Sequence, residues 1–264
     1  PANTLWQRDL SISYNKIGDM LRAQEDLAGA LQTYRDSLAI REKLVQQDPA
    51  NRGWQRDLSV SYTKVGDVLS AQGDFPGALQ SYRGCLALAE KLAQQDPANS
   101  GWQSDVSVSS ERVGDMLRQQ GDLSGALQSY RACVAIFQNL IKQDPANAGW
   151  QRNLSIALNK VGLVLGQQGN LAGALESYRK SLALAEKLAA LDSTNADWER
   201  DVCICLGRVA ETILAMPQAD RAEATRLVGR ALDLMAAFEK KAPLSSAQKQ
   251  TRAWLEDLQQ KVGG

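Results

Sequence analysis

Residues 64–82 read Lys64-Val65-Gly66-Asp67-Val68-Leu69-Ser70-Ala71-Gln72-Gly73-Asp74-Phe75-Pro76-Gly77-Ala78-Leu79-Gln80-Ser81-Tyr82. This predicts the end of one helix, a tight turn and the start of a second helix. Gly73 stands where a helix ends in a left-handed residue. Asp74 is a good N-cap for the helix that follows. The whole arrangement returns every 48 residues. Tryptophans stand at Trp6, Trp54, Trp102, Trp150 and Trp198, and only Trp254 breaks the step. Gly18, Gly66, Gly114 and Gly162 keep the same register, as do Tyr34, Tyr82, Tyr130, Tyr178 and Asp48, Asp96, Asp144, Asp192. Residues 1–48 and 49–96 are identical at 32 positions, which makes the period certain.

Each unit reads as two helices. The first runs from about Trp6 to Gln24, with Trp6, Leu10, Tyr14, Ile17 and Leu21 on one face at steps of three and four. Gly73, Gly121 and Gly169 end this helix in repeats 2 to 4, and Glu25 takes that place in repeat 1. Asp26, Asp74, Asp122 and Asn170 then cap the second helix, which carries Leu27, Ala30, Leu31, Tyr34, Leu38 and Leu44. Asp48-Pro49-Ala50-Asn51 and its two successors close the unit, because proline cannot continue a helix. Repeat 4 closes on Asp192-Ser193-Thr194-Asn195. Each helix is therefore near 20 residues, about 30 Å long.

On these residues the chain resembles the tetratricopeptide repeat family. The Gly66 position, the Gln72-Gly73-Asp74 turn, the small Ala78 and the aromatic Tyr82 four residues later fall at that family's spacing. The departure is length, since the family unit is about 34 residues. Both helices are longer here, as in long-helix members such as kinesin light chains. The resemblance spans residues 1 to about 243. It implies an all-α fold, an α-solenoid superhelix of antiparallel helix hairpins with about eleven helices. The expected organisation is repeat 1 at 1–48, repeat 2 at 49–96, repeat 3 at 97–144 and repeat 4 at 145–192. A degenerate repeat 5 follows at 193–243, with Ala210 in the glycine column and Met216-Pro217-Gln218-Ala219 in a longer turn. Residues 244–264 form a C-terminal capping helix with Trp254 and Leu258, as a solenoid end requires. The opening Pro1-Ala2-Asn3 matches the tail of an inter-repeat turn. It leads us to expect a piece of a longer array whose uncapped first repeat is open to self-association.

Composition narrows the chemistry. The chain has 264 residues, 30 basic, 30 acidic and no histidine. Zero net charge argues against nucleic-acid binding by phosphate neutralisation. Lack of histidine removes the commonest general base and metal ligand. No apolar run approaches the roughly 18 residues of a membrane span. There is no phosphate-binding glycine loop, nucleophile elbow or metal-ligand cluster. We therefore expect no catalytic residue, cofactor or metal, and no nucleic-acid or membrane partner. All four cysteines sit in columns that elsewhere hold Ser or Ala. They read as small packing residues in a reducing, cytoplasmic setting, with Cys203 and Cys205 as a metal or redox pair the rarer alternative.

Structural and functional columns then separate. The Trp column packs against the preceding unit or, less readily, forms a recognition surface. The Tyr34 column matches the family's buried aromatic, and the Gly18 column allows close approach of helices. In the family the remaining face of the first helix lines a concave groove that binds a partner peptide or helix. At 3.6 residues per turn, that face carries Arg8, Ile12, Asn15, Asp19 and Arg22 in repeat 1. Repeat 2 presents Arg56, Val60, Thr63, Asp67 and Ser70. Repeat 3 presents Ser104, Val108, Glu111, Asp115 and Arg118, and repeat 4 Arg152, Ile156, Asn159, Leu163 and Gly166. Side by side these form a basic edge, an aliphatic band and an acidic band that stops at Leu163. They predict a protein or peptide ligand with a basic segment opposite Asp19, Asp67 and Asp115; ordinary solvated surface is the other reading. Lys16, Lys64, Arg112, Lys160 and Arg208 serve either as ion-pair partners or as ligand contacts. Chaperone-binding members of the family grip a C-terminal carboxylate. Asp19, Asp67 and Asp115 stand where that clamp wants Asn, so none is expected. The resulting function is a non-catalytic protein-interaction scaffold, with a self-assembling module or a regulatory arm of a larger signalling protein as alternatives.

Overall fold

The computed structural model describes residues 3–241 and 243–263. The Pro1-Ala2 part of the opening turn lies outside them. The described residues form eleven helices and no strand. The first helices of the hairpins are α1 (Thr4–Ala23), α3 (Arg52–Ala71), α5 (Ser100–Gln119), α7 (Ala148–Gln167) and α9 (Ala196–Ala215). The second helices are α2 (Leu27–Gln47), α4 (Phe75–Gln95), α6 (Leu123–Gln143), α8 (Leu171–Leu191) and α10 (Arg221–Lys241). The closing helix is α11 (Ser246–Gly263). An all-α solenoid of helix hairpins is thus what the sequence pattern called for.

The helices begin two residues before the tryptophan column, earlier than expected. The reason is the asparagine that ends each inter-repeat turn. Asn51 Oδ1 accepts the Trp54 amide at 3.1 Å, and Asn99, Asn147 and Asn195 do the same for Trp102, Trp150 and Trp198. Such a cap satisfies a backbone donor that the helix start leaves orphaned. One turn further, Gln55, Gln103 and Gln151 each donate Nε2 to the carbonyl of Pro49, Pro97 or Pro145 at 2.5–2.6 Å, tying the turn to its helix. Inside each hairpin, Gly73, Gly121 and Gly169 take φ of +80°, +83° and +79°, and Glu25 takes +64° at the same point. Asp26, Asp74, Asp122 and Asn170 cap the second helices through the amide three residues on, at 2.9–3.0 Å.

The glycine and tyrosine columns are one device. Gly66 lies beneath the Tyr82 ring, and Gly18, Gly114 and Gly162 lie beneath Tyr34, Tyr130 and Tyr178. All four rings are buried. A second seam is polar. Ser37 Oγ donates to the Ser11 carbonyl at 2.8 Å and Ser181 Oγ to that of Ser155 at 2.8 Å. Cys133 Sγ makes the same bond to the Ser107 carbonyl at 3.1 Å. The cysteine therefore replaces a serine in role as well as in column. All four thiols are free and buried, and burial raises that of Cys203 to about 12.

Residues up to Ile136 and residues from Phe137 form two compact units. The division falls inside α6. In the first unit α1 to α5 pack in sequence, and in the second α7 to α11 do so. Here α11 lays Trp254 and Leu255 over Gly207 of α9. Leu255 joins Val202, Cys203, Leu206, Met235 and Phe238 in the terminal core.

Candidate partner-binding face

In the first unit the expected acidic band is built into the fold. Tyr34 donates its hydroxyl to Asp19 Oδ1 at 2.6 Å, and Lys64 of the next hairpin donates to the same oxygen while lying over the Tyr34 ring at 5.2 Å. The next rung repeats this. Tyr82 donates to Asp67 at 2.7 Å, and Arg112 binds Asp67 and stacks on Tyr82 at 5.4 Å. Tyr130 donates to Asp115 at 2.6 Å. Of the basic column, Lys64 and Arg112 thus form ion pairs between neighbouring repeats. Burial works against the charge on Asp19, but its bonds from Lys64 and Tyr34 win and hold the carboxyl below the ordinary range. Each Asp of the column therefore already accepts from the tyrosine of its own hairpin, and Asp19 and Asp67 also pair with a cation of the next.

Burial and the carboxylates push the Tyr34, Tyr82 and Tyr130 phenols well above their ordinary value. Burial raises Tyr178 to about 12. An unfolded tyrosine ionises near 10, so above that pH the unfolded state alone loses these protons and is favoured. Stability should hold to about pH 10 and then fall steadily up to about pH 12. Urea midpoints over that range check this, and Tyr82→Phe should flatten the fall.

The remaining expected residues fall into groups. Arg8 pairs with Asp57 at 2.7 Å and Arg152 with Asp201 at 2.7 Å, 49 residues on in each case. Arg56 lacks that pairing with Asp105 and leans over Trp102 at 5.8 Å. Arg22 reaches Asp67 at 3.9 Å. Asn15 is buried and does not present itself, contrary to expectation. Its amide, turned to satisfy its neighbours, donates to Ser37 Oγ at 3.1 Å and accepts from Arg41. Thr63 and Asn159 share its column but are half-buried and line the two pockets of this face; Thr63 Oγ1 donates to the Ser59 carbonyl of its own helix at 3.0 Å and Asn159 Nδ2 to Cys205 Sγ at 3.1 Å. Glu111 and Arg118 are half-buried. The aliphatic band is accessible: Val60 is 42% and Val108 45% exposed, with Ile12 and Ile156 half-buried.

Each unit has an open pocket on this face. In the first unit a pocket of about 330 Å³ is lined by Val60, Val108, Lys64, Asp67, Asp105 and Arg112. In the second, one of about 310 Å³ is lined by Ile156, Leu163, Ile204, Arg152, Arg200, Arg208 and Asp201. Arg200, Asp201 and Ile204 were missed by the sequence reading, which carried only Arg208 of the basic column into repeat 5. Carrying the rest of the face there at the 48-residue register would have found them, because Arg200 is the Arg8 column and Ile204 the Ile12 column. Among the described residues no group of His, Cys, Asp and Glu could hold a metal, and no helix is long and apolar enough to cross a membrane.

The model of the tetratricopeptide repeat family matches residues 11–51, 59–98 and 155–193. No curated protein matches the chain. Among solved structures, BtubC (BKLC) from P. vanneervenii is similar over 90% of this chain and 84% of its own, with a TM-score of 0.63 and 17% identity. The nearly identical kinesin light chain repeats from Podosopora anserina align over 88% and 97%, with a TM-score of 0.55 and 14% identity. MamA from Desulfovibrio magneticus RS-1 aligns over 87% and 97%, with a TM-score of 0.53 and 15% identity. At such identities the likeness is one of fold.

Proposed function

This chain is built from tetratricopeptide repeats, and from that premise we propose that it is a non-catalytic scaffold holding a partner peptide or helix on the face of its first helices. The observation that supports this reading is the aliphatic band. Val60 and Val108 are exposed side by side in one pocket, whereas Val65, Val68 and Leu69 and their counterparts Val113, Met116 and Leu117 on the same helices are buried. Accessible valines flanked by Arg56, Lys64 and Asp105 match the apolar centre and polar rim of a binding surface. The four free buried thiols fit a reducing compartment such as the cytoplasm.

Affinity capture of partners tests the reading. Val60→Glu with Val108→Glu, and separately Ile156→Glu, should each remove captured proteins while circular dichroism stays unchanged. Gln32→Glu on the exposed part of α2 should remove none. Capture unaffected by all the face variants overturns the proposal.

A second reading is supported by the first helix. Leu10, Ile17 and Met20 are 46–64% exposed, whereas their counterparts Leu58, Val65 and Val68 are 0–5% exposed. Leu5 and Trp6 extend the patch at 67% and 74%. Such a patch is suited to another hairpin stacking on it. Light scattering should show mass rising with concentration, and Leu10→Lys with Ile17→Lys should abolish the rise; a constant monomer mass overturns this reading.

A further inference from the structure

Three hairpins place a carboxylate beside the tyrosine hydroxyl: Asp19 at Tyr34, Asp67 at Tyr82 and Asp115 at Tyr130. In the fourth, Leu163 occupies that column and Tyr178 stands without one. Among the described residues no side chain takes up the Tyr178 hydroxyl. Arg208, column mate of Lys64 and Arg112, therefore has no carboxylate to reach back to. It turns to Glu211 one turn along its own helix at 2.9 Å and lies over Trp254 at 5.0 Å.

This missing rung borders the second unit's pocket, whose walls differ from those of the first unit. Ile156, Leu163 and Ile204 make it apolar, and Arg152, Arg200 and Arg208 are cationic. Two guanidiniums share the Asp201 carboxylate, with Arg152 at 2.7 Å and Arg200 at 4.0 Å. Arg200 Nε is buried without a partner. In the first unit, by contrast, Arg112 and Asp67 satisfy each other and Asp105 adds a second carboxylate to the lining. Leu163 thus does two things at once: it removes an anion and supplies apolar floor.

We infer that this pocket takes an acidic peptide segment, with an aliphatic side chain on Ile156, Leu163 and Ile204 and a flanking carboxylate at Arg200 and Arg208. This rests on the interaction reading above and reverses, for this unit, the basic ligand that the Asp column suggested. A carboxylate next to an apolar floor meets guanidiniums under low local dielectric, where charge-assisted bonds are strongest. Charge complementarity of this kind selects the partner more than it adds raw affinity.

Fluorescence anisotropy with three labelled, end-blocked peptides tests it. The probes are Gly-Ser-Asp-Leu-Asp-Ser-Gly and the same peptide with both aspartates changed to asparagine or to lysine. The chain should bind the aspartate peptide, bind the asparagine form roughly tenfold more weakly or worse, and leave the lysine form unbound. Arg200→Gln should weaken the aspartate peptide roughly tenfold. Leu163→Asp, which restores the missing carboxylate from within, should weaken it more than Leu163→Asn. Circular dichroism on each variant separates loss of binding from loss of fold. Equal binding of all three peptides, or equal binding by Leu163→Asp and Leu163→Asn, overturns the inference. Absent peptide binding alongside capture lost in the Val60→Glu, Val108→Glu variant overturns the acidic assignment alone and leaves the interaction face standing.

Discussion

Tyr82→Ala should destabilise the α3–α4 region by about 3–5 kcal/mol, the range for truncating a large buried aromatic. The ring is only 3% exposed and fills the space over Gly66. Its loss opens a cavity at the tightest crossing of the hairpin and also strips Asp67 and Arg112 of the surface they lie on. Tyr82→Phe keeps the ring and removes the hydroxyl with its bond to Asp67 and the longer one from Arg112, so it should cost about 1 kcal/mol. Hydrogen exchange read helix by helix is the suitable measurement, because an array of hairpins need not unfold in one step. Equal protection of α3 and α4 in Tyr82→Ala and Tyr82→Phe would show that the ring's packing does not hold the hairpin together.

Gly66→Ala should also destabilise, against the usual trend. In a helix interior alanine ordinarily gains about 1 kcal/mol over glycine. At Gly66, however, an added Cβ would come within 2.6 Å of Tyr82 Cε1 and 2.9 Å of Cδ1. That ring is buried and its hydroxyl is anchored on Asp67, so it has little room to retreat. Overpacking of this kind costs about 1–3 kcal/mol, enough to reverse the sign. Gly229, in α10 with nothing within 4 Å, is the control, and Gly229→Ala should stabilise by about 0.5–1 kcal/mol. Urea midpoints decide between the two signs. In the double variant Gly66→Ala, Tyr82→Ala the clash disappears, so the costs should be markedly less than additive.

Both predictions concern columns that a single sequence displays. Gly66 and Tyr82 recur in register because each hairpin solves the same packing problem, and any residue that solves it is copied with the unit. The Asn51 column was legible in the same way. Asparagine before a helix is a cap, and reading it so would have placed the helix starts two residues earlier. The face was harder. Spacing put Asn15 beside Ile12 and Asp19, but helical projection says only which direction a side chain leaves its own helix. It is Ser37 and Arg41, from the next helix, that draw Asn15 inward.

The sequence by itself determined the period, the hairpin, its caps and its glycine–tyrosine crossing, because these depend on residues close along the chain and on a repeat that states them several times over. Only the tertiary structure decided what the charged columns do. Lys64 meets Asp19 across 45 residues and Arg112 meets Asp67 across the same interval, a pairing that exists only once hairpins stack. Stacking therefore ties Asp19 and Asp67 of the apparent acidic stripe to cations of the next hairpin. It also brings Leu163, which breaks the ladder, into one pocket with Arg200 and Arg208.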